Sequence, residues 1–381
     1  MNFELTDDQV QIQGTVRRLL ADRYSTTLRN RYLAEETGWS ADLWRAYADM
    51  GLTALAVPSE FGGLGGNAED LYVVMRELGH ASILEPYLGS CVAAATAISL
   101  GGSVQQRELH LPKIASGESI FAWASEGASG PGSSEDEAET VAASAGNGWQ
   151  LNGTKSVVLH AAASADLVVS ALLPIGSRAL FLVRRDAPGL GLRRYRLVDG
   201  SSAADIRFDG VAAELLGLPD EHAGEDVILR AESACIAAIC AEAVGAMRAA
   251  LELTVTHLNT RAQFGKPLAN NQALRHRCAD MAVMLECSES MAMLAAITLS
   301  DAQGCEPGDL SMARTVVMRN GRSLCEHAVQ LHGGIGMTEE YGVGRYLQRM
   351  MVLEQLFGAT VRRLAKRPGI ETETDTDELA H

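Results

Sequence analysis

Apolar positions recur at intervals of three and four near both ends of the chain and at intervals of two in its middle, which predicts helices, then strands, then helices. Thr6 and Gln9 make a capping box, and Val10, Ile12, Val16, Leu19 and Leu20 follow at helical spacing, so the chain opens on an amphipathic helix. Further helical runs are predicted over 41–50, 68–78 and 87–100. Between the first two of these lies GLTALAVPSEFGGLGG, whose proline and five glycines cannot continue a helix and require a shaped loop.

From Ser119 to about Leu216 the runs SIFAWAS, TVAASA, GWQLNGTKSVVLH, DLVVSALL, ALFLVRR and ADIRFDGV alternate or are β-branched, punctuated by turn signals at Asn147-Gly148 and Pro188-Gly189. This reads as a small antiparallel β domain. After Glu221, four long helical stretches are predicted over 224–260, 270–300, 309–331 and 341–357. Their apolar residues, such as Ile236, Ile239, Cys240, Ala243, Val244 and Met247, recur as the buried helices of an antiparallel bundle require. The resulting division is an N-terminal helical domain (1–118), a middle β domain (119–218), a C-terminal four-helix bundle (219–365) and a tail (366–381) rich in acids and threonines, expected to be mobile.

Composition narrows the partners. At 381 residues and 47% hydrophobic the chain can bury a large core, and a net charge of −16 argues against nucleic acid or an anionic membrane as a main partner. The N-terminus carries Glu4, Asp7 and Asp8 where a signal peptide needs basic and then apolar residues, so a cytoplasmic chain without membrane spans is expected. Seven cysteines (Cys91, Cys235, Cys240, Cys278, Cys287, Cys305 and Cys325) show no metal or CxxC spacing and read as reduced core residues, with no metal site.

Two clusters carry candidate chemistry. In RAQFGKPLANNQALRHRCAD, Arg261 is a charged planar fork suited to phosphate oxygens, Gln263 and Gln272 add amide donors and acceptors, and Phe264 offers a flat apolar face. In QLHGGIG, from Gln330 to Gly336, three glycines within four residues let a backbone approach a diphosphate or a ring. Taken alone, an Arg-x-x-Phe-Gly run is equally a helix end with a glycine stop.

The succession RAQFG, NQALRHRCADM and QLHGGIGM resembles the C-terminal domain of the acyl-CoA dehydrogenases, flavoenzymes that place a double bond between Cα and Cβ of an acyl thioester. MNFELTDDQ, GLTALAVPSEFGGLGG and LNGTKSVVLHAAASADLVVSA extend the resemblance over nearly the whole chain. KSVVLH and AVQLHGGIGM are most similar to small subunits of heteromeric members. The resemblance implies an α+β fold of the acyl-CoA dehydrogenase type, bound FAD and an acyl-CoA substrate. It also implies an electron-transfer flavoprotein as electron acceptor and association with itself or a homologous subunit as a dimer or tetramer.

By the same resemblance, Arg261, Gln263 and Phe264 hold the diphosphate and adenosine of a neighbouring subunit's FAD. Asn271 and Gln272 support them, Gln330, Gly333 and Gly334 form the second half of that clamp, and Thr360 touches the nucleotide. Ser125 and Glu126 survive from the family's Thr-Glu-Pro-Gly-Ala-Gly-Ser run, which is rebuilt here over Gly127 to Gly132. Val157, Val158 and Leu159 stand where the family has Trp-Ile-Thr against the flavin ring, so a stacking surface and a hydroxyl are lost. The usual catalytic glutamate position is Gly358, and the position that a minority of members use is Cys235. Glu354, one helical turn before Gly358, and Glu232, almost one turn before Cys235, are the remaining candidate bases and read as solvated helix-face residues. Three functions fit: a dehydrogenase acting as one subunit of a heteromer with a catalytic homologue, a base-deficient flavin-binding partner subunit, and a flavin oxidase or monooxygenase on the same fold.

Overall fold

The structure, a computed structural model, describes residues 4–125, 140–146, 148–217, 223–263, 265–300, 307–338 and 341–358; the tail 366–381, Glu126 and the rebuilt run at 127–132 lie outside them. Six α-helices open the chain: α1 (Asp7–Arg23), α2 (Thr26–Ala34), α3 (Ala41–Asp49), α4 (Ala68–Ala81), α5 (Ala95–Gly101) and α6 (Val104–Ala115). Local chemistry starts three of them, through reciprocal capping boxes at Thr6–Gln9, Asn67–Asp70 and Ser103–Gln106. The helix predicted over 87–100 is not uniform. Its first part, Leu88–Ala94, winds as a π-helix before α5 begins, an irregularity that often marks a functional site.

Seven strands follow: β1 (Phe121–Ala124), β2 (Val141–Ala145), β3 (Gly148–Leu159), β4 (Asp166–Leu172), β5 (Arg178–Arg184), β6 (Leu190–Arg196) and β7 (Ser202–Leu215). β4 pairs with β5, β5 with β7, β7 with β3, β3 with β2, and β2 touches β4 again at Val141–Leu172, so the sheet curls back on itself. Most pairings are antiparallel, as predicted, but β1 and β2 run parallel to β4. The sheet encloses its own apolar core, from Leu151 and Leu167 to Phe181 and Ile206.

The C-terminal region comprises α7 (Ala223–Thr260), a small hairpin of β8 (Ala262–Gln263) and β9 (Lys266–Pro267), α8 (Gln272–Ser300), α9 (Pro307–His332) and α10 (Gly344–Gln355). These helices share one core with the N-terminal ones. The crossing of α4 and α7 is close because it is glycine on both sides: a Cβ at Gly79 would strike the Glu242 carbonyl, and one at Gly245 the Arg76 carbonyl. Helix and barrel are tied by buried charge. Arg349 of α10 donates to Glu242 of α7 at 2.6 Å and to Asp199 of the β6–β7 turn at 2.8 Å, and Arg29 of α2 donates to the Asp199 carbonyl. Burial alone would raise the Asp199 carboxyl, but Arg349 and the Ser201 N–H and hydroxyl hold it below the ordinary range.

Two helices are long and apolar enough to cross a membrane by length and composition, against the expectation of no such stretch. In α7, 83% of the apolar window is buried, which makes it a core helix, whereas only 33% of the window in α8 is covered. Val283 and Cys287 stand exposed there, so Cys287 is not the core residue expected. Cys91, Cys235, Cys240 and Cys325 are buried as free thiols, and Cys305 lies outside the described residues.

Candidate functional site: a cleft and a clamp

Where the π-helix, the barrel and the end of α10 meet, an open cleft is lined by Leu88, Gly89, Ala93, Trp123, Ser125, Ser156, Val157, Val158, Leu159, Leu356 and Phe357. The sequence candidates Ser125, Val157, Val158 and Leu159 therefore come together. Trp123 of β1, two residues before Ser125, joins them. The Trp123 Nε1 and the Ser125 Oγ are both buried and have no hydrogen-bond partner among the described residues. An unsatisfied buried donor is costly, which points to a ligand heteroatom as its partner. Lys155, 2% exposed, fixes the floor by donating its Nζ to the Ser125 carbonyl at 2.8 Å and to Ser170 Oγ at 2.9 Å.

Two walls of the cleft are strained. Val157 has φ of 55° and Phe357 φ of 57°, in the left-handed region that a β-branched or bulky residue occupies only when its surroundings force it, at a cost of order 1–3 kcal/mol. Val157 is 41% exposed where it lines the cleft.

Among the described residues, no ionisable side chain lines the cleft. Gly358, the position expected from sequence to carry the carboxylate, follows directly on the lining residue Phe357. The substitute bases fare differently from expectation. Glu354 is ion-paired with Arg322 at 3.0 Å and its carboxylate is about one third exposed. Glu232, read from sequence as solvated, is 1% exposed inside the core. Cys235 is fully buried, and burial together with the Glu232 carboxylate pushes its thiol well above the ordinary range. That opposes the thiolate a base would need. None of the three lines the cleft.

The second cluster lies elsewhere. α5 meets α7 at Gly101–Val227 and α4 meets it at Gly79–Glu242, so the π-helix between them packs near the first half of α7. Arg261 lies nineteen residues past Glu242, roughly 28 Å along the helix. There the chain turns through the β8–β9 hairpin with Gly265 at φ 79°, and Arg261, Gln263, Asn271 and Gln272 are all exposed. Phe264 and Thr360 lie outside the described residues. The QLHGG segment joins this cluster through stacked rings: His257 of α7 and His332 of α9 lie 4.6 Å apart at 29°, with Tyr341 4.9 Å from His332. Burial, His332 and the Arg261 charge lower the His257 pKa. Gln330, Gly333 and Gly334 are exposed, and a Cβ at either glycine would meet nothing within 4 Å. The arrangement is an open, basic, glycine-edged surface suited to an anion brought from outside.

Comparison with known proteins identifies the family. Residues 6–118 match the family model for the acyl-CoA dehydrogenase N-terminal domain and residues 236–364 that for its C-terminal domain. Acryloyl-CoA reductase (NADH) of Anaerotignum propionicum is 27% identical over 93% of this chain and 92% of its own. Among solved structures, the Tcur3481-Tcur3483 steroid ACAD variant is 30% identical with a TM-score of 0.85, covering 94% of this chain and 96% of that one. The ChsE4-ChsE5 complex from Mycobacterium tuberculosis gives 25% identity and a TM-score of 0.88 over 97% of this chain and 100% of that one. The chain belongs to the acyl-CoA dehydrogenase family, whose members are FAD-dependent oxidoreductases acting on CH–CH groups.

Proposed function

We propose that this chain works as one subunit of a heteromeric FAD-dependent acyl-CoA dehydrogenase whose catalytic carboxylate is carried by a homologous chain. The observation that carries this reading is the cleft wall: among the described residues, none of those lining it can take a proton from Cα. The unpartnered donors of Trp123 and Ser125 fit the heteroatoms of a flavin ring, and Val157 to Leu159 would lie against its face. Arg261, Gln263, Gln272 and the Gly333–Gly334 edge would hold the diphosphate and adenosine of FAD seated mainly in the neighbouring subunit. Bound FAD supplies the hydride acceptor for desaturation, and an electron-transfer flavoprotein would take the electrons onward.

The KSVVLH and AVQLHGGIGM runs resemble the small subunit of pimeloyl-CoA dehydrogenase, and a small-subunit role would suit a partner chain of this kind. The two solved relatives whose names join two chains support the same pairing. The exposed apolar flank of α8, with Val283 at 63% exposure, is the surface we assign to that association.

The test is to express the chain alone and together with a homologous acyl-CoA dehydrogenase subunit encoded beside it. FAD stoichiometry and acyl-CoA-dependent dye reduction are then measured in each. Dye reduction only in the pair is expected. Rapid anaerobic bleaching of flavin by the lone chain would sink the reading. Installing the missing carboxylate with Gly358→Glu should raise the lone chain's bleaching rate by roughly 10²-fold or more, because a placed base contributes about 10²–10⁴-fold.

A further inference from the structure

The floor of the cleft contains a device that neither the family resemblance nor the missing base accounts for. Lys155 pairs with Ile206 and Val158 with Ala204, so Ser156 and Val157 of β3 together oppose the single residue Asp205 of β7. This is a β-bulge, and bulges re-aim a side chain out of the sheet's regular alternation. Val157 is the bulged residue in the left-handed region, and it lines the cleft beside Ser156, 41% exposed. A valine does not take that conformation unaided.

The surroundings supply the constraint. The Val157 N–H, turned out of the ladder, donates to Tyr195 Oη at 3.1 Å and Asp205 Oδ1 at 3.3 Å. Tyr195 in turn donates its hydroxyl to the same Oδ1 at 2.7 Å. Arg193 closes the cluster, its Nη2 and Nε donating to Asp205 Oδ2 at 2.6 and 3.2 Å. Arg193 and Tyr195 both come from β6, which pairs with β7 but lines none of the cleft.

We infer that Asp205, braced by Tyr195 and Arg193, is the positioning residue that holds the Val157 bulge and so sets the surface on which the flavin ring rests. The inference depends on the proposal that this cleft takes the ring, but the bulge itself can be read without any flavin. Asp205 touches no reacting atom; it acts through the Val157 backbone.

The experiment uses the full chain, alone and with its homologous subunit, in four forms: wild type, Asp205→Ala, Val157→Gly and the double variant. Amide hydrogen exchange at Val157 reads the bulge, and titration with FAD followed by flavin fluorescence reads the cleft. Asp205→Ala should speed Val157 exchange and weaken FAD binding, each about 10-fold for the loss of a charged acceptor. Val157→Gly should return FAD binding in the double variant to within about 3-fold of wild type, since glycine adopts this φ freely. Unchanged exchange in Asp205→Ala would overturn the inference, and so would unchanged FAD binding or the same loss of binding in both backgrounds. A wild type that takes no FAD in either format would overturn the cleft assignment instead, and the exchange data would still decide whether Asp205 holds the bulge. If Asp205→Ala does not fold, Tyr195→Phe with and without Val157→Gly replaces it under the same outcomes.

Discussion

At the cleft, an indole N–H and a serine hydroxyl are buried in an apolar wall beside two strained residues, whereas at the clamp an arginine, three glutamines and bare glycines stand in solvent around a pair of stacked histidines. The cleft is shaped by contacts among all three regions of its own chain. The clamp is a hairpin and a helix end presenting donors outward, and among the described residues its arginine, glutamines and glycines are exposed. The cleft is thus apolar and strained, and the clamp open.

The comparison breaks most readily at the charges that hold the cleft's three regions together. Arg349→Met leaves Asp199 and Glu242 buried without their cation and should cost about 3–5 kcal/mol of stability, read from the denaturant midpoint. A loss under about 1 kcal/mol, the worth of an exposed pair, would show that water already reaches this triad.

Next in size is a pair of opposed titrations on either side of Leu84. Burial pushes the Glu85 carboxyl up to about 7, against hydrogen bonds from the Ser40 and Leu84 N–H groups. Its contribution is complete below the unfolded value near 4.5 and is lost as pH rises through 7. Burial lowers His160, bonded to the Leu84 carbonyl, to about 4, so its contribution is complete above 6.5 and is lost as pH falls through 4. Each spans roughly 3 kcal/mol and the signs oppose, so wild-type stability should be nearly flat between pH 4.5 and 6.5. Glu85→Gln should unmask a rise with pH over that range. A flat profile in the variant would remove His160 from the account.

On the clamp side, Arg261→Ala should weaken FAD retention by about 1.5–3 kcal/mol, more than Arg261→Lys, which keeps charge without the fork. The denaturant midpoint should move by less than about 0.5 kcal/mol, because the side chain is exposed. Equal retention in all three forms would reduce Arg261 to a helix terminus. Smallest is Trp123→Phe, in which removing an orphaned donor should raise the melting temperature slightly while weakening FAD by about 0.5–1.5 kcal/mol. A change of the same sign in both would assign Trp123 to packing alone.

Most helices were legible because each buries a stripe at three and four, and the capping boxes mark where three of them begin. α2 escaped because TTLRNRYLA carries almost no apolar stripe, and α6 because Pro112 sits inside it, although Ser103 and Gln106 signalled its start. The clamp was legible as short local motifs. The cleft was less so: KSVV reads as plain strand, and nothing in a valine announces a left-handed backbone. Trp123 could have been found from its i, i+2 relation to Ser125. Glu232 was misread because a lone acid on a helix is ordinarily solvated; its setting in AESACIAAIC was the available warning.

Positions 199, 242 and 349 lie far apart in the chain and on three different elements, yet each holds half of an ion pair that the others complete. An apolar substitution at any one strands charge, while a matched set of apolar replacements could pack without penalty. These sites are thus expected to drift among descendants of this chain as a set rather than singly, so that an inherited change at the arginine foretells changes at both acids.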